Sequence, residues 1–137
     1  MKYADLLQEM LEERMLQSPF IKGLNLKIES VDIEQDVLVM SMPLSQAVER
    51  SEGSGQMHGG AIASLVDTAG CFALIMGRLA PTPTVNIRVD YIRPAVKTTL
   101  IARAKVRRAG KLFGAVDIDV EDNSGKLVAM GRGTFGV

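Results

Sequence analysis

The apolar positions of this chain change their period along its length, and the changes mark out its elements. From Lys2 to Met15 they recur at helical spacing. Tyr3, Leu6, Leu7, Met10, Leu11 and Met15 fall on one face, with Glu9, Glu12 and Glu13 elsewhere. SPFIKG breaks this helix, with Pro19 and Gly23 as punctuation. The period then shortens. LNLKIESV sets Leu24, Leu26 and Ile28 on one side and Lys27 and Glu29 on the other, DVLVMSM is more uniformly apolar, and IEQD between them suits a hairpin turn. SQAVERSEGSGQ is polar and reads as a loop of a length that is often functional. The apolar segment from about Gly60 to Leu79 is too long for a strand and predicts one long internal helix, ended by PTPT. Four more strands are predicted: TVNIRVDYI, TLIARAKVRR, LFGAVDIDVED and LVAMGRGTFGV. In the first, Val85, Ile87, Val89 and Tyr91 share a face. In the third, Val116, Ile118 and Val120 oppose Asp117, Asp119 and Glu121. RAGK and DNSGK are hairpin turns.

The order is helix, two strands, long helix, four strands. Strands joined by short turns are antiparallel, and their apolar face needs a cover that only the long helix can supply. The class is α+β: an antiparallel sheet of about five to six strands wrapped around one long central helix, with an additional N-terminal helix over residues 1–17. At 137 residues the chain reads as one domain, 1–137, with its core over 20–137.

Composition narrows the function classes. The formal net charge is zero and aromatics are few, which disfavours nucleic acid and anionic membranes as partners. Cys71 is the sole cysteine and His58 the sole histidine, so an internal disulfide is impossible and neither a metal nor another cofactor is expected. Asp5, Glu9, Glu12 and Glu13 stand where a secretory signal needs an apolar core. The apolar run from Ala61 to Met76 is short for a bilayer span and contains Asp67. A soluble cytoplasmic protein is expected.

A carboxylate inside so apolar a helix needs a reason. Projected at about 100° per residue, Gly60, Ala63, Ser64, Asp67, Gly70 and Cys71 lie along one stripe of small residues. The large side chains spread around the rest and can face the sheet. Such a stripe lets another backbone approach, and a second copy of the chain is the natural candidate. The helix opens with His58-Gly59-Gly60. A helix N-terminus carries unpaired N–H groups and partial positive charge, so Gly59 and Gly60 are candidate donors to an oxyanion. Eight residues separate Gly59 from Asp67, roughly 12 Å of rise, too far for both to touch one carbon. If the two cooperate, they come from different chains of a symmetric dimer.

GQMHGGAIASLVDTAGCFAL, with TVNIRVDYIRPA, RRAGKLFGAVDIDV and GKLVAMGRGTF downstream, resembles the hotdog-fold acyl-CoA thioesterases of the PaaI and THEM2-like branch, from about residue 20 onward. The resemblance implies a hotdog fold, a homodimer or tetramer with shared interface sites, and metal-free hydrolysis of acyl-CoA thioesters. It implies that Asp67 activates water or attacks as nucleophile, that the Gly59 N–H polarises the thioester carbonyl, and that Thr84 assists. Many members carry asparagine six residues before the histidine. Here Glu52 stands there, and Glu52 or Gln56 is the expected substitute.

His58 either fixes the start of the helix or hydrogen-bonds the thioester oxygen. Ser64, flanked as IASLV, lacks the G-x-S-x-G elbow of a hydrolase nucleophile and is assigned with Gly60 to substrate contact. Cys71 has no second histidine to activate it and is read as packing. Of the basic residues on the third and fourth strands, Arg93 and Arg108 are the candidates for the phosphates of coenzyme A. Two other readings stay open: a non-catalytic acyl-CoA binding module, and a hydroxyacyl-thioester dehydratase using His58 with Asp67 or Glu52.

Overall fold

Two helices, two strands and then a 20-residue helix precede the second run of strands, and this order lets the sheet close over the long helix. The structure is a computed structural model and describes residues 2–136. Met1 and Val137, the ends of the predicted first helix and last strand, lie outside the described residues. Helix α1 spans Tyr3–Met15, α2 Pro19–Leu24 and α3 Gly59–Arg78. The strands are β1 Lys27–Asp32, β2 Val37–Met42, β3 Thr84–Tyr91, β4 Leu100–Ala109, β5 Phe113–Glu121 and β6 Leu127–Gly136. They form one sheet in the order β1-β2-β4-β5-β6-β3, every pair antiparallel. The sequence of crossovers leaves β1 and β3 as the two edges.

Burial of α3 organises the core. Ile62, Leu65, Val66, Ala69, Phe72, Ala73 and Met76 are buried on the helix, facing Leu38, Met40, Leu100, Ala102, Ala104, Val116, Ile118 and Val120 of the sheet. By length and apolar composition α3 would be able to cross a membrane, which the shorter run 61–76 is not; here its apolar surface is spent on the sheet. The outer face alternates to charge, as the period of two demands. Arg132 grips Asp117 with two hydrogen bonds of 2.6 and 2.9 Å, and Arg107 approaches the same carboxylate at 3.6 Å. The hydrogen bond from Arg132 holds the Asp117 carboxyl below the usual range; desolvation opposes it, and the charges of Arg132 and Arg107 add to the lowering.

The sequence expectations need three corrections. SPFIKG does more than end α1. Ser18 accepts from the Ile21 N–H at 3.2 Å and Pro19 takes the first helical position, so the segment forms α2 and Asn25 closes it in the left-handed region. Consequently β1 begins at Lys27, with Leu24 on α2 rather than on a strand. On α1 only Leu7, Leu11 and Met15 are buried, whereas Tyr3, Leu6 and Met10 are exposed, because the helix docks through a single narrow stripe. On β3 the predicted apolar face is only half covered: Ile87 and Val89 are half-buried, Val85 and Tyr91 exposed. An edge strand has a neighbour on one side alone.

The sheet admits α3 closely at glycines. A Cβ built on Gly131 would lie 2.5 Å from Val66 Cγ1 and 3.1 Å from the Arg88 carbonyl. Val66 is β-branched on a helix and has one favoured rotamer, so it cannot turn aside. Gly131→Ala is therefore expected to destabilise the fold by about 1–3 kcal/mol, overpacking outweighing the entropy gained in the unfolded chain. A urea midpoint equal to or above that of the parent would contradict this packing.

Candidate functional site

Edge strand β3 runs beside α3 in the opposite direction, and each of its ends is tied to the helix. At its start the Thr84 hydroxyl donates to Asp67 Oδ1 at 2.6 Å. At its end the Tyr91 hydroxyl donates to the Gly59 carbonyl at 2.6 Å, with its ring packed against Gly59. Asp67 is half-buried, and among the described residues its Oδ2 has no hydrogen-bond partner. A lone carboxylate is tolerated in this helix because its stripe opens beside an edge strand and not into the core.

The start of α3 is held by backbone bonds. The Met57 N–H donates to the Ala95 carbonyl at 2.9 Å, the His58 N–H to Val48 at 2.7 Å, and Lys97 returns a bond to Gly55 at 2.7 Å. These place His58 as the N-cap. Its Nδ1 accepts from the Gly60 N–H at 2.9 Å, which puts the proton of the neutral ring on Nε2. The Gly59 N–H has no acceptor among the described residues. It borders a pocket of about 360 Å³ whose walls include Gln56, Met57, Ile62, Tyr91, Pro94 and Arg93. An unpaired donor at the positive end of a 20-residue helix, beside an apolar wall, suits an oxygen that gains negative charge.

The expected site residues fall into separate groups within one chain. Gly59, Gln56 and Arg93 share the pocket, and Asp67 and Thr84 pair further along α3. Glu52 is not brought to either: it lies on an exposed turn, where it lines a shallow depression with Gln46, Ala47 and Glu49. Gly60 is not a free donor, because His58 takes its N–H. Ser64 bonds back to the Gly60 carbonyl at 2.8 Å, the local bond a mid-helix serine commonly makes. Gly70 leaves the open stripe: a Cβ there would lie 2.9 Å from the Phe135 ring, so this position faces the sheet. Arg108 sits at the β4–β5 hairpin, which is joined to the opposite end of α3 by a hydrogen bond from Arg78 to the Gly110 carbonyl. It is therefore far from Arg93. No cluster of three metal-ligating side chains occurs among the described residues.

Tyr91 was missed from sequence. The signal was present: it ends the alternating face of β3, and an antiparallel strand beside a helix returns its last residue to the helix start. Cys71 is a packing residue. Its Sγ lies 3.2 Å from Thr82 Oγ1, and burial pushes the thiol up; the Thr82 hydrogen bond opposes this and the nearby Asp67 charge reinforces it.

Known proteins now place this architecture. Residues 54–129 match the thioesterase superfamily. PaaI of Escherichia coli, named an acyl-coenzyme A thioesterase, is 32% identical over 109 residues, covering 79% of this chain and 76% of that protein. A Halobacterium salinarum protein with an esterase name is 39% identical over 95 residues, and the chain spans 62% of that relative's length. A solved thioesterase-superfamily structure superimposes with a TM-score of 0.88 at 30% identity, over 96% of this chain and 98% of the other. The structure of E. coli PaaI does so at 0.82 and 27% identity, over 97% and 94%. The chain belongs to the thioesterase superfamily, and its sheet closed over one central helix is the hotdog fold. It is a thioesterase-class enzyme.

Two measurements check this geometry. His58→Ala should lower stability by about 1 kcal/mol through loss of the cap, and His58→Asn should restore most of it. Equal unfolding midpoints for all three proteins would refute the capping role. The Cys71 thiol should react with iodoacetamide at pH 8 at least several-fold more slowly than free cysteine, because burial disfavours its thiolate. A rate matching free cysteine would show that the thiol is neither buried nor raised.

Proposed function

We propose that the protein hydrolyses an acyl-CoA thioester to the free acid and coenzyme A, at two equivalent sites shared between the subunits of a homodimer, alone or paired into a tetramer. One observation carries this reading: β3 is a free edge whose two ends are tied to the two separated halves of the candidate site.

Antiparallel pairing of β3 with a second copy about a two-fold axis between Ile87 and Arg88 sets Thr84 opposite the partner subunit's Tyr91. The Asp67 carboxylate then approaches the partner subunit's Gly59. The same operation on α3 has its midpoint at Ala63, halfway between residues 59 and 67, on the stripe of small residues that allows close approach. One two-fold axis thus serves both the strand and the helix. Neither half alone is a site, since roughly 12 Å of helix separates them.

In the composite site the thioester carbonyl accepts the Gly59 N–H at the positive helix end, and this donor strengthens as the oxygen becomes an oxyanion. Thr84 holds Oδ1 of Asp67, which leaves Oδ2 to take a proton from water or to attack the carbonyl carbon itself. The carbon–sulfur bond breaks, and coenzyme A leaves as the thiolate and is then protonated; on the nucleophilic route water next hydrolyses the acyl–Asp67 anhydride, releasing the free acid and restoring the carboxylate. Gln56 and Arg93 line the approach. The dehydratase reading loses support because His58 Nδ1 is committed to the helix cap.

Asp67→Ala is expected to cut kcat by about 10²–10⁴-fold with the dimer intact. Gly59→Pro replaces the donor N–H with a ring carbon while keeping the helix start, since proline is accepted at the first helical position, His58 already has an extended conformation at φ −65 and ψ 135, and a Cβ there would meet Tyr91 at an ordinary 3.5 Å. It should cost about 10²–10³-fold in kcat. Thiol release from a panel of acyl-CoA esters measures both. Parent-like turnover by the Asp67 variant would remove the residue from the mechanism.

A further inference from the structure

We propose that Tyr91 is a positioning residue whose hydroxyl aims the Gly59 N–H at the reacting carbonyl. The inference rests on the hydrolase reading, in which that N–H is the oxyanion donor, and it gives a task to a side chain that reading leaves idle. The donor sits where the chain has least to hold it. Gly59 and Gly60 open α3 without side chains, and glycine is the residue most free in φ. The first turn of a helix also has no preceding turn to bond its N–H groups. An N–H there keeps one direction only if something outside the helix holds the peptides around it.

The peptide between Gly59 and Gly60 is held at both poles. Its carbonyl accepts the Tyr91 hydroxyl at 2.6 Å, and its N–H donates to His58 Nδ1 at 2.9 Å. Hydrogen bonds in such a chain polarise one another, so the bond from Tyr91 strengthens the His58 cap. The preceding peptide, which carries the free N–H, joins this one through the Gly59 α-carbon. There Tyr91 Cε1, Cζ and Oη all lie 3.5 Å from where a Cβ would stand. The ring thus occupies the flank of a residue that has no side chain of its own. On the other side the His58 N–H is tied to the Val48 carbonyl at 2.7 Å. With both neighbours fixed, Gly59 has little freedom in φ and its N–H has one direction.

Tyr91 is itself firmly based. It stands opposite the fully buried Ala129 of β6, so its side chain leaves β3 on the helix side. Just beyond it the Ile92 N–H donates to the Val128 carbonyl at 2.8 Å. Yet the residue is 52% exposed, which sets it apart from an aromatic kept for the core. What the ring touches is Gly59 and the pocket whose wall it shares with Met57 and Ile62.

The test uses Tyr91→Phe, which keeps the ring against Gly59 and removes the hydroxyl. Thiol release should show kcat lowered about 10–100-fold with KM within about twofold, since a misaimed donor costs less than an absent one. In the Gly59→Pro background the same substitution should cost nothing more, because the donor it aims is gone. A second readout needs no turnover. Parent and variant are saturated with a ketone analogue of the thioester, with methylene in place of sulfur and an isotopic label at the carbonyl, and the carbonyl stretch is read by infrared difference spectroscopy. In the parent the band should lie below its position in water, and in Tyr91→Phe it should move back up. Parent-like kcat in Tyr91→Phe, an additive loss in the Gly59→Pro background, or a band that the substitution leaves in place each overturns the proposal. A parent that releases no thiol from any acyl-CoA ester, with a low ketone band that rises in the variant, removes the hydrolase reading alone. A parent that hydrolyses the esters while Tyr91→Phe matches it removes this inference alone.

Discussion

Two hydrogen bonds tie edge strand β3 to helix α3, and the rest of the functional account depends on them. Thr84 to Asp67 fixes one end and Tyr91 to the Gly59 carbonyl fixes the other. Because the strand is an edge, these bonds lie where the sheet still has an unpaired row of backbone groups. The carboxylate and the free N–H are thus displayed along a surface that is incomplete in one copy of the chain. A partner pairing with β3 in an antiparallel sense about the axis proposed between Ile87 and Arg88 would carry its own Asp67 toward the first chain's Gly59.

The same constraint explains how an apolar core helix holds a carboxylate. Large side chains occupy the sides of α3 that meet the sheet, and glycines such as Gly131 let the helix settle close to it. The remaining stripe has Ala63, Ser64 and Asp67, all half-buried. A carboxylate there accepts the Thr84 hydroxyl and avoids the cost of full burial. Its partial exposure in one chain, and the room the proposed partner would fill, follow from the same packing.

Much of this was legible in the chain itself. The period of the apolar residues marks all six strands and the long helix, because the inner face of the sheet and the buried sides of α3 leave strong patterns. Asp67 stood out as a charge in an apolar run, and Gly59 as a glycine at a helix start. What periodicity did not report is which polar groups are already satisfied. Gly60 looked equivalent to Gly59 until His58 was seen to occupy its N–H, and Ser64 bonds its own backbone. Glu52 aligned with a functional position by spacing, yet the turn around Gly53 and Gly55, both at positive φ, carries it away from the pocket. Tyr91 was hidden for the opposite reason: its role arises from the pairing of strand and helix, a contact between residues 32 positions apart. The helix of residues 19–24 was lost because Pro19 reads as a breaker unless the preceding serine is recognised as its cap.

The central claim is that each site takes its carboxylate from one chain and its oxyanion donor from the other. It is tested most directly by co-assembling Asp67→Ala chains with Gly59→Pro chains. Each is expected to be nearly inactive alone. In a mixed dimer one site joins the intact Gly59 of the first chain to the intact Asp67 of the second, and the other site has neither. With half the dimers mixed and one working site in each, thioester hydrolysis should return to about a quarter of the parent rate. Activity that stays at the level of the separate variants, in a preparation shown to contain mixed dimers, would contradict the shared site.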